Sequence, residues 1–192
     1  MNSDDQLTLF DSEELRNISS IGNQRNLKLR MSGESLQKWK SQIQKYQNQV
    51  RVSQPIAQGT LFDLTSNSID LETIDPFSLT LRSCSFYRFP AEGKGASCLY
   101  FVLDTTAEIL LYVGESLYSH KRWQGQHDCK RYLDNYQDLH YRHQIKSTIG
   151  MTFGWGAPLQ TRPRQRIESA LIAKWKSPFN WQNWNYWHTP FT

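Results

Sequence analysis

Hydrophobic and polar positions change period twice along this chain. From Ser32 to about Gln49, Leu36, Trp39, Ile43, Tyr46 and Val50 recur at spacings of three and four, one face of an α-helix. Ser32 suits its N-cap, and Lys38, Lys40 and Lys45 fall on an outer face expected to be solvated. From Cys98 the pattern becomes strand-like. Leu99–Leu103 and Ile109–Val113 are rich in β-branched, aromatic and aliphatic residues, and they flank Asp104–Glu108, which lacks a core pattern; the unit reads as a β-hairpin. A turn centred on Thr106 sets Tyr100 directly opposite Tyr112.

Beyond the hairpin, Ser116 or Ser119 can cap a short helix carrying His120, Lys121, Arg122 and Trp123, weakened at Gly125. A longer helix follows over about 128–146, with Leu133, Tyr136 and Leu139 inward, then a third strand at Thr148–Trp155. A last helix runs from Pro163 to about Lys176 and is stopped by Pro178. The expected fold class is α/β in the α+β sense: a small three-stranded, mainly antiparallel sheet flanked by helices, with an N-terminal helix and an extended arm. Residues 1–30 are polar and expected to be a mobile tail. Residues 31–96 are that helix and arm, with Phe77, Leu79, Leu81, Phe86, Tyr87 and Phe89 pinning the arm to the core. Residues 97–192 form the main domain. The aromatics of the last stretch, Trp181, Trp184, Tyr186, Trp187 and Phe191, are expected to fold back over that core.

Charge adds an asymmetry. The net charge is +4 over 192 residues. Residues 1–96 hold 11 basic and 11 acidic side chains, whereas residues 97–192 hold 11 and 7, with every histidine and six of the seven tryptophans. A basic, aromatic half suits a polyanion such as nucleic acid. Cys84, Cys98 and Cys129 have neither disulfide nor zinc spacing. His140 and His143 lack metal partners in the sequence and read as a helix surface. No signal peptide or apolar run of membrane length occurs, so a cytoplasmic protein without membrane contact is expected.

On the last predicted helix, Glu168, Ile172 and Trp175 lie at i, i+4 and i+7, so a carboxylate shares a face with two large apolar side chains. Burying it is costly unless it is paired or binds a metal. Tyr100 in Leu-Tyr-Phe, Tyr112 with Gly114 in Tyr-Val-Gly, Arg122, Glu168 and then Asn180 after Pro178 make an ordered series. That series resembles the GIY-YIG nuclease family, over about residues 97–192. The resemblance implies a metal-dependent DNA endonuclease. In it Tyr100 is the general base, Tyr112 orients water or phosphate, Arg122 neutralises the scissile phosphate, and Glu168 binds one Mg²⁺ (or Mn²⁺). Asn180 and Gly114 are structural at the site. Tyr100 would need nearby positive charge to ionise, since a phenol's usual pKa is near 10. Two departures stand out. The first motif reads Leu-Tyr-Phe, and Gln126 occupies the place where several members carry a histidine, with His127 one further on and His120 and Lys121 as further candidates.

Near the start, Gln6-Leu7-Thr8-Leu9-Phe10 resembles the short motif by which bacterial polymerases and repair proteins dock on the β sliding clamp, Leu9 and Phe10 being the apolar anchors. A similar string recurs at Gln58–Phe62. These readings point to a nuclease of repair or replication. The alternatives are a catalytically silent DNA-binding module of the same fold, or a restriction or mobile-element endonuclease.

Overall fold

The computed structural model describes residues 31–53, 74–83, 96–118 and 128–190. They build an α+β fold of element order α1 (Gly33–Val52), β1 (Arg82–Ser83), β2 (Cys98–Asp104), β3 (Ile109–Ser116), α2 (Asp128–Arg142), β4 (Ile149–Trp155), α3 (Thr161–Trp175), a 3-10 turn (Trp181–Asn183) and α4 (Trp184–Trp187). The sheet is antiparallel throughout, with strand order β1-β4-β2-β3. The three expected strands are thus joined by a fourth, the two-residue β1 from within the arm, too short to leave a pattern in the sequence.

β2 is central and buried along its whole length, which is why CLYFVLD reads as a nearly unbroken apolar run. Cys98, Tyr100 and Val102 face a core shared with α1, α2, Phe179 and Trp187. Leu99, Phe101 and Leu103 face the opposite way, against Leu171, Ile172 and Trp175 of α3 and partly buried Phe77 and Leu79 of the arm. Leu81 is half exposed and covers Gly150 of β4. Phe86, Tyr87 and Phe89 lie outside the described residues. Of the final aromatics, Trp187 is buried in the first core and Trp184 is packed on it, but Trp181 and Tyr186 are exposed.

Ser32 caps α1, its Oγ accepting the Ser35 N–H at 3.1 Å. α2 stops at Arg142, short of the expected 146. Gln144 takes a left-handed turn, and the Ile145 N–H folds back to the His140 carbonyl at 2.9 Å. α3 begins two residues before Pro163, leaving the proline in the first turn, where its missing N–H costs nothing. It ends at Lys176, whose φ of 50° precedes Pro178.

The hairpin departs from the expected register. Tyr100 pairs with Gly114 and Tyr112 with Val102, and the register shifts between Val102 and Leu103. A four-residue turn moves the pairing by one place, and a bulge at Leu111, between Leu110 opposite Leu103 and Tyr112 opposite Val102, moves it by another. Side chains alternate with period two, so the two shifts cancel in face, and both tyrosines still project to the same side.

Two buried polar residues on the apolar stripe of α1, Lys40 and Gln47, overturn its simple amphipathic reading. Lys40 is buried, not solvated, and pairs with the fully buried Asp104 at 3.0 Å. Asp104 is the hub of the hairpin turn. One of its oxygens accepts the backbone N–H groups of Thr106, Ala107 and Thr148 at 3.0, 3.3 and 3.2 Å; the other accepts the Tyr136 hydroxyl at 2.7 Å. His140, expected on a helix surface, is buried beside them. Its Nε2 lies 2.8 Å from Lys40 Nζ and its Nδ1 2.7 Å from the Tyr136 carbonyl. An ammonium only donates, so His140 is held as the neutral tautomer with its proton on Nδ1. His143 is exposed and meets the Met31 carbonyl at 2.9 Å. Burial, and then the Asp104 charge, push the Tyr136 phenol well above its usual pKa, so it stays a donor.

Removing one partner of a buried pair strands the other's charge. Lys40→Met should therefore lower the unfolding free energy by about 3–5 kcal/mol in a urea titration. A loss below about 1 kcal/mol would class the pair with solvent-screened ones. A pH dependence follows from His140, whose pKa is lowered mainly by burial and further by Lys40, against the raising influence of the Tyr136 carbonyl and of Asp104. The unfolded chain takes up this proton below about pH 6.5 while the folded chain resists it. This contribution is thus fully present above about pH 6.5 and is lost as pH falls toward the lower folded value. Unfolding free energies at about pH 7.5 and about pH 5.5 should differ less in His140→Gln than in the wild type. An unchanged difference would remove His140 as the source.

Candidate active site

The site is built on the outer strand of the hairpin. Tyr100 and Tyr112 stack with ring centroids 6.0 Å apart and planes at 26°. Tyr100 is fully buried and Tyr112 half-buried. Gly114 sits directly beneath the Tyr100 ring: a Cβ there would overlap Cζ and Oη and stand 2.7 Å from Cε2. The glycine in Tyr-Val-Gly is required by this ring. The space over Gly114 is filled by the phenol of the neighbouring strand.

β3 is an edge strand, and side chains seal its outer edge. The Gln47 amide spans Leu110, accepting its N–H at 2.7 Å and donating to its carbonyl at 3.0 Å. The Phe179 N–H reaches the Leu111 carbonyl at 2.9 Å. The Asn180 amide spans Val113, accepting the N–H at 3.0 Å and donating to the carbonyl at 2.8 Å, while the Ser177 hydroxyl donates to Asn180 Oδ1 at 2.6 Å. Each amide offers one acceptor and one donor, as a neighbouring strand would. Val113 separates Tyr112 from Gly114, so Asn180 fixes the peptide between the two site residues.

Glu168 enters from α3, on the other face of the sheet from the tyrosines. At one end of that helix, Arg164 makes a buried ion pair with Glu115 and donates to the carbonyls of Pro158 and Leu159 at 3.0 and 2.9 Å. At the other end, Gln47 Nε2 donates to the Trp175 carbonyl at 3.1 Å as well as to Leu110. The helix therefore runs antiparallel to β3, and about 16 Å separates the anchors whether measured along helix or strand. One turn beyond Arg164, about 6 Å along, half-buried Glu168 is level with Val113 along the strand, on the sheet face opposite the tyrosine rings. Arg164, four residues before Glu168, is engaged by Glu115.

Cys98 is buried at the strand end near Glu115. Its thiol is pushed up to about 12 by burial and then by Glu115, against the lowering influence of Arg164, and so it is no nucleophile. Among the described residues no group of three or more His, Cys, Asp and Glu gathers to hold a metal. Arg122, His127, His120 and Lys121 lie outside the described residues, as do Gln6, Leu7, Thr8, Leu9 and Phe10 and the second string at 58–62.

No protein-family model, no curated protein and no solved structure matches the chain. Among the described residues no helix is long and apolar enough to cross a membrane.

Because the Tyr100 ring occupies the space above Gly114, Gly114→Ala must displace a fully buried phenol. The substitution should cost about 1–3 kcal/mol and lower the melting temperature. Combining it with Tyr100→Ala should cost less than the sum of the two single changes, because the clash is then gone. Full additivity would show that the two residues do not interlock.

Proposed function

We propose that the chain is a metal-dependent DNA endonuclease of the GIY-YIG kind. The observation that carries this reading is the convergence of the stacked Tyr100–Tyr112 pair, Gly114 and Asn180 on one stretch of β3. Four residues scattered over eighty positions of sequence share that neighbourhood, and Glu168 is level with it across the sheet.

A lone carboxylate completed by water and phosphate oxygens is a hard donor set, and Mg²⁺ typically keeps several waters in such sites. Glu168 fits that description, as would Mn²⁺ in the same place. The ion, when bound, supplies charge stabilisation at the leaving oxygen. Tyr112, the more accessible phenol, hydrogen-bonds and orients a water or a phosphate oxygen. Arg122 presents a planar fork to the scissile phosphate. Tyr100, ionised to the phenolate by nearby positive charge, accepts the proton of the attacking water and returns to the neutral phenol. His127, or His120 or Lys121, adds positive charge close to Arg122 in the chain. Asn180 and Gly114 hold the strand and ring in place. The Gln6–Phe10 peptide, with Leu7, Leu9 and Phe10 as its apolar side chains, would bring the enzyme to a sliding clamp in repair or replication.

The complete burial of Tyr100 favours a second reading, a DNA-binding module of the same fold without catalysis, because a general base must meet its water. Supercoiled plasmid with Mg²⁺ separates the two. Wild type should nick or linearise it, and Glu168→Ala should lose more than about 100-fold of that rate while retaining DNA binding. Binding without cleavage by either protein, on branched and damaged DNA as well as on plasmid, favours the silent module.

A further inference from the structure

Past Glu168, the C-terminal end of α3 leads to a surface that the cleavage chemistry does not use. A groove of about 360 Å³ lies between the outer side of α1 and the C-terminal segment, bordered by Gln42, Lys45 and Gln49 and by Tyr186, Trp187 and His188. Its floor is held fixed. The Tyr46 hydroxyl donates to the Lys174 carbonyl at 3.2 Å, and the Tyr46 ring meets the rings of Tyr186 and Trp187 edge-on at 6.1 and 5.8 Å. Trp39 Nε1 donates to the Trp187 carbonyl at 2.9 Å, and Trp187 Nε1 donates to the Lys176 carbonyl.

The rim is cationic and aromatic. Lys176 Nζ sits 5.5 Å from the centroid of Tyr186, which is 55% exposed. Lys45 and His188 add to the same rim. No Asp or Glu occurs in α1 after Glu34, and none follows Glu168 in the chain. Both walls of the groove are therefore free of side-chain carboxylates, an arrangement that repels no polyanion.

We infer that this groove binds single-stranded nucleic acid flanking the bond presented at Glu168. Lysines meet the phosphates, Tyr186 offers a ring on which an unpaired base stacks, and Gln42 and Gln49 offer amides to base edges. A duplex keeps its bases stacked on each other, so an exposed ring favours an unpaired strand. Lys174 follows Glu168 by about 9 Å along α3, on the order of three nucleotides of a stacked strand. Binding is independent of catalysis; only the place of the strand relative to the cut rests on the nuclease reading.

The test is fluorescence anisotropy of a labelled oligothymidine of about a dozen nucleotides, at constant salt, with the full chain and without added metal. Lys45→Glu combined with Tyr186→Ala should weaken binding about tenfold or more, whereas Lys146→Glu on an exposed loop should change it less than about twofold. Tyr186→Phe, which keeps the ring and the fold, should bind like wild type, and circular dichroism confirms that the double variant is folded. Equal affinity of the double variant and wild type overturns the proposal, as does a preference for a polyglutamate peptide over the oligonucleotide. A protein that binds through the groove yet cuts nothing removes the nuclease reading alone. One that cuts plasmid while the groove variants bind normally removes the groove alone.

Discussion

The outer edge of β3 is the constraint on which the arrangement of everything else depends. An edge strand leaves a row of N–H and C=O groups that must find partners once helices bury them. Here the partners are two primary amides and one backbone N–H, drawn from the first helix and the C-terminal segment. Gln47 also caps the Trp175 carbonyl, so one side chain ties α1, β3 and α3 together. Removing such an amide leaves buried donors and acceptors unpaired, at about 1–3 kcal/mol for each group. The cooperativity of the fold and the placement of the candidate site share this origin.

A second set of polar contacts secures the opposite end of the hairpin. Asp104 collects Lys40 from α1, Tyr136 from α2 and the amides of its own turn and of Thr148 before β4. The first helix thus contributes two polar residues, Lys40 and Gln47, seven positions apart, which is two helical turns. One is devoted to the turn of the hairpin and one to its flank.

Much of this architecture is legible in the sequence, because elements that repeat declare themselves. The stripe of α1, the apolar run of β2, the inward face of α2 and the proline-bounded α3 all follow from spacing. What escaped were residues whose type contradicts their position. Lys40 and Gln47 stand on the apolar stripe, four residues after Leu36 and Ile43, but a polar side chain there reads as solvated unless its buried partner is known. Asp104 was hidden as a turn residue for the same reason. The edge-on role of Asn180 is a backbone contact across sixty-seven positions, invisible to local pattern. The final aromatics have no period at all, so which of them turn inward is decided by packing alone. The series from Tyr100 to Asn180 was readable as a motif, whereas the burial of Tyr100 and the place of Gly114 beneath it required coordinates.

The bulge at Leu111 has a consequence for how this hairpin can change. The four-residue turn and the extra residue each displace the strands by one place, and only together do they keep the tyrosine rings on a common side. A slip of β3 by a single residue against β2 would turn Val113, with its anchoring to Asn180, away from the core that now receives it. A residue gained or lost here is therefore accommodated only where the loop or the bulge absorbs it and leaves the pairing from Tyr112 onward unchanged. The hairpin tolerates a change of length but not a change of phase.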